Sequence, residues 1–154
     1  MRKLSALVAA SVVALALTAG ASANSPAIHE TENVVGDVIP CDNGVTLTVI
    51  SGYLKITFHE GASASGNMNV TGTLVPVGVV FSGSDGNTYY GHGASWFGGA
   101  FNAQTGGLTF TDTEHFTFTG PGGIVGVVRT TMHVSPNGHE VSVDMSTCTL
   151  AEED

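Results

Sequence analysis

From residue 45 onward, apolar and threonine-rich stretches alternate with short runs of glycine, serine, asparagine and proline. The stretches span 45–60, 67–81, 87–101, 107–119, 124–134 and 139–149, and GASASG, GSDGN, NAQTGG, GPGG and SPNG separate them. Side chains that alternate with a period of two belong to strands, whose successive Cβ atoms point to opposite faces. The separators have turn chemistry, and Asn137-Gly138 is a strong hairpin signal. A further short strand is predicted around Val34 to Ile39. Helical periodicity is absent beyond the first residues of the chain, so the pattern predicts an all-β protein of consecutive hairpins.

The phase of the alternation carries more detail. Val45, Leu47 and Val49 are odd, whereas Leu54, Ile56 and Phe58 are even. A β-bulge at Ser51-Gly52 repairs this by adding one residue and bending the strand. Pro76 argues for a break or an edge within 67–81, because proline cannot donate to a ladder. Stretches this long exceed the usual strand of roughly 3–10 residues, so bending and splitting give six to eight strands. In the last stretch Val141, Val143 and Met145 share one face, expected to be inward, and Glu140, Ser142, Asp144 and Ser146 share the other. The whole reads as a small antiparallel up-and-down β-barrel, with a β-sandwich as the alternative.

The N-terminus sets the compartment. Arg2 and Lys3 precede an apolar run from Leu4 to Leu17, and Ala21-Ser22-Ala23 follows. This is the form of a secretory signal cleaved after Ala23, too short for a membrane span. Residues 24–154 then suit one domain with one core. In an oxidising space Cys41 and Cys148, the only cysteines, form one disulfide. Closing so long a loop stabilises by roughly 4–5 kcal/mol on the chain-entropy model. The bridge would also tie the first long strand to the last, which favours the barrel. After Ala23 only Lys55 and Arg129 oppose thirteen acidic residues. Such a surface repels phosphate backbones and anionic headgroups, so neither nucleic acid nor membrane is an expected partner.

Candidate chemistry concentrates in TDTEHFTFT. Phe110, Asp112, Glu114, Phe116 and Phe118 share one face and a threonine comb with His115 shares the other, so both carboxylates are expected inside. A two-residue loop at Pro121-Gly122 would set Glu114 opposite Arg129, an ion pair. A two-residue turn at Asn137-Gly138 instead turns Arg129 outward and, through an odd count or bulge near Gly120–Gly123, sets it opposite His115. Both registers stay open here. Tyr90, His92, Ala94 and Trp96 share a face among glycines that leave room, which suggests a ligand cavity or a core bend. Tyr90, Trp96, Asp112 and Glu114 are therefore the candidate ligand-binding residues. His59-Glu60, Glu114-His115 and His139-Glu140 are adjacent and so face opposite ways, which argues against a metal; nothing calls for another cofactor.

VIPC before the first long strand, SGYLKITFH, SGSDGNTYYG, TEHFTFTGPGG and SPNGHEVSVDMSTC, behind a signal peptide, resemble a family of small secreted actinobacterial β-proteins. The resemblance spans most of the chain after residue 23. It implies the β fold, and because the family's function is unknown it transfers no catalytic residue. The architecture is similar to lipocalin-like and allene-oxide-cyclase-like barrels. The function expected first is binding of a small apolar or amphiphilic ligand in the lumen of a secreted barrel. The alternatives are a small cyclase or isomerase using an inward carboxylate, and a pocketless extracellular interaction module.

Overall fold

A computed structural model of the chain describes residues 26–41 and 44–148. The leader expected at 1–23, with its cleavage after Ala23, lies outside the described residues. Among the described residues nine antiparallel strands form one sheet: β1 (Ile28–Asn33), β2 (Val38–Pro40), β3 (Thr46–Ala62), β4 (Met68–Gly83), β5 (Thr88–Phe101), β6 (Leu108–Gly120), β7 (Gly123–Val134), β8 (Glu140–Asp144) and β9 (Thr147–Cys148). Five long strands, β3 to β7, pair in chain order. At one end β1 and β2 lie in tandem along β3, and at the other β8 and β9 lie along β7. The sheet curls without closing: among the described residues no ladder joins its first strands to its last. The Cys41–Cys148 disulfide does so instead, with the two Cα atoms 4.7 Å apart. The all-β class and the disulfide are as the sequence predicts, and the result is barrel-like with a seam between its edges.

The strand expected around Val34 to Ile39 is interrupted. Asp37 N–H donates to the Val34 carbonyl and Gly36 takes φ +99°, so a turn separates β1, which begins earlier, from the short β2.

The predicted bulge is present. Pairing of β3 with β4 slips on both sides of Ser51, between Val49 and Tyr53. Gly52 sits there with φ +95°, and a Cβ on it would lie 2.5 Å from the Gly78 carbonyl oxygen. Only glycine fits so close an approach in the left-handed region. Pro76 keeps its place opposite Leu54 in the β3 ladder, while the β4–β5 ladder is interrupted between Leu74 and Val80. The inward positions of β4 accordingly change from even, at Leu74, to odd, at Val79 and Phe81.

These phase changes in neighbouring strands divide the interior in two. One cluster at the disulfide end gathers Leu47, Val49, Val79, Phe81, Tyr89, Phe118 and Val125 around the cystine. The other, at the opposite end, gathers Ile56, Phe58, Leu74, Phe97 and Phe110, with Phe116, Met132 and Val134 against it.

The last hairpin departs from expectation. Residues 135–139 form the loop, with Ser135 N–H donating to the His139 carbonyl, and Val134 pairs with Glu140 rather than Val141. This one-residue difference reverses the strand. Ser142 and Asp144 share the face of inward Met132 and Thr130, and Val141, Val143 and Met145 are exposed.

Candidate functional site

Between the two clusters lies a cavity of about 190 Å³. Its walls come from every long strand: Val49 and Leu54 of β3, Leu74, Pro76, Val79 and Phe81 of β4, Gly91 and His92 of β5, Glu114, Phe116 and Phe118 of β6, and Val128 and Thr130 of β7. Both lips of the seam contribute too, with Glu32, Val34 and Asp37 on one side and Asp144 and Ser146 on the other. The space exists because the bends of β3 and β4 carry the inward side chains away to either end. Gly91 lines it without a side chain, and a Cβ there would lie 3.0 Å from the Phe81 ring and 3.3 Å from Val79.

The β6 comb faces as its alternation predicts. Glu114 reaches the cavity wall, opposite Thr130 on β7 and Ser95 on β5. Asp112 does not line the cavity. It is 6% exposed, set between its register neighbours Phe97 and Met132 in the far cluster, and its Oδ1 accepts a 2.6 Å hydrogen bond from Ser95 Oγ. Desolvation pushes its carboxyl above the ordinary range, and the hydrogen bonds from Ser95 and the Thr113 amide partly oppose this.

Arg129 is exposed and lies opposite His115. The second of the two registers holds, so Glu114 and Arg129 occupy opposite faces. The slip comes from a bulge: Gly120 pairs with Gly123 across a two-residue turn, yet Thr119 pairs with Ile124 and Phe118 with Gly126, leaving Val125 as the extra residue.

Tyr90 and Trp96 are 50% and 52% exposed on the outer face and do not line the cavity, which reverses the side expected for these two, although His92 from the same set does line it. The inward side carries Tyr89, Gly91, Ser95 and Phe97 instead. Tyr89 is held there by its hydroxyl, which donates to Asp85 in the preceding turn. Of the four candidate binding residues the fold thus brings only Glu114 to the cavity, with Asp112 close behind it.

Glu32, Asp37 and Asp144 are site residues that the pattern did not mark. Glu32 alternates within IHETEN, where both faces are polar and no hydrophobic signal picks the inner one. Burial and then the nearby Asp37 push the Glu32 carboxyl up. Asp144 is held below the ordinary range by the Ser146 hydroxyl and by Ser146 N–H, which donates to Oδ1 at 2.9 Å. Among the described residues no group of three histidine, cysteine, aspartate or glutamate side chains converges on a metal position.

The fold and the cavity together define a small, disulfide-closed, barrel-like β-protein with an internal apolar space. Comparison with family models, curated proteins and solved structures finds no match to this chain.

Proposed function

We propose that this is an exported binding protein that holds one small ligand, apolar in its body, in the cavity between the two core clusters. The observation that carries the reading is the cavity itself, walled by valine, leucine, proline and phenylalanine side chains in an interior otherwise packed into two clusters. An apolar cavity of about 150 Å³ admits benzene, so a single ring or short chain fits this one. Export is supported by the leader-like N-terminus and by the disulfide, a bond that persists in oxidising compartments. Among the described residues no helix is long and apolar enough to cross a membrane.

The test is a calorimetric titration with toluene, 1-hexanol and indole, repeated on Val128→Phe. Saturable 1:1 binding to the native protein, abolished when the added ring fills the cavity, is the expected result. No binding of any of the three would refute the reading. The exposed outer-face residues Tyr90, Trp96, Val141, Val143 and Met145 favour a second reading, an extracellular interaction module, which would then take its place.

A further inference from the structure

We infer that the cavity selects a small cation: an amine, primary to quaternary, bearing a ring or short apolar chain. The inference rests on reading the cavity as a ligand site and adds the charge of the ligand. Four carboxylates line that space from four separate places, Glu32 on β1, Asp37 in the turn after it, Glu114 on β6 and Asp144 on β8. No lysine or arginine is among the described lining residues, and His92 is the one histidine among them. The two basic residues of the described chain, Lys55 and Arg129, are exposed on the outer face, opposite Val75 and His115 respectively.

The distribution is more informative than the acidity of the chain. A generally acidic surface serves solubility and places its carboxylates outward. Here Glu32 and Glu114 are half-buried on the inward faces of β1 and β6, against the cost of drawing a carboxylate out of water. Asp144 is turned to the same face by the one-residue register of the last hairpin, and Ser146 keeps it in its ionised form. Carboxylates on both lips of the seam and on the wall between them give a field of one sign over an apolar interior. Phe81 and Phe118, whose rings meet edge to face at 5.3 Å, line the space beneath. Aromatic faces also attract a cation placed over them. An ammonium group at the seam with its ring or chain among Phe116, Phe118 and Val128 satisfies both parts of the site. A neutral ligand satisfies only one, and an anion is repelled.

The experiment compares three probes of one shape by calorimetry at neutral pH and low salt: 2-phenylethylamine, 2-phenylethanol and 3-phenylpropionate. The expected order is amine, alcohol, anion, with the amine about tenfold tighter than the alcohol, the equivalent of one partly buried charge pair. The gap should narrow in Glu32→Gln/Asp37→Asn, and separately in Asp144→Asn should the first variant fold poorly. It should also narrow as salt rises. Equal binding of amine and alcohol would overturn the charge selection while leaving the cavity reading intact. Tightest binding of the anion would also overturn it. Failure of all three probes would remove both.

Discussion

Glu60 projects inward from β3 at 6% exposure, and its Oε1 has no hydrogen-bond partner among the described residues. Burial first, and then the nearby Glu30, push its carboxyl above the ordinary range. A carboxyl raised in this way favours its neutral form in the folded protein. Its contribution to stability is whole below the unfolded value near 4.5 and is lost as pH rises through the raised folded value. Glu60→Gln should therefore raise the melting temperature at pH 7 by a few degrees and leave it nearly unchanged at pH 4. Thermal melts at the two values check this, and a lower melting temperature at pH 7 would contradict it. At this scale β6 was legible in the sequence because even positions from Phe110 to Phe118 are aromatic or acidic while odd ones are threonine and histidine. On β5 the adjacent Tyr89 and Tyr90 offer each face one aromatic, and the intervening glycines weigh for neither. The choice falls to Phe97 on the inner side and to the Tyr89–Asp85 hydrogen bond, a contact that periodicity does not contain.

Strand register decides which charges can meet. The Val125 bulge puts Arg129 opposite His115 and outward, and Thr130 opposite Glu114 and inward. Glu114→Gln and Arg129→Met should therefore change stability additively, to within about 0.5 kcal/mol in a double-mutant cycle by thermal or urea unfolding. Coupling well above that would mean an ion pair across faces that the register separates. The same logic explains what hairpin patterns concealed. At Ser51-Gly52 the hydrophobic phase changes visibly on either side, so the bulge can be read directly. At Val125 no such change is visible, since Val125, Val127 and Val128 are apolar in both phases. In the last hairpin the strand alternates cleanly, but its parity depends on the 135–139 loop. Asn137-Gly138 suggests a tighter turn than the Ser135–His139 hydrogen bond allows, and the exposed edge position of β8 lets its valines face water.

At the scale of the whole molecule, the cystine takes the place of the missing ladder between the two edges. It spans 107 residues, and its loss should lower stability by roughly 4–5 kcal/mol on the chain-entropy account. Urea unfolding with and without reductant measures this, and an unchanged midpoint would show that the seam is held by other contacts. The meander and its closing bridge could be read from turn spacing and from two cysteines at matching ends. The cavity could not, because it arises where phase changes in β3 and β4 coincide across the sheet, a relation between elements rather than within one. Trp96, being on the outer face, is a poor reporter of this space, so occupancy must be observed directly. The most direct measurement is a crystal structure under xenon pressure, since xenon enters apolar cavities of this size. One xenon site is expected among Val79, Phe81, Phe116 and Val128, absent in Val128→Phe. Side chains filling that space, with no xenon between the two clusters, would contradict it.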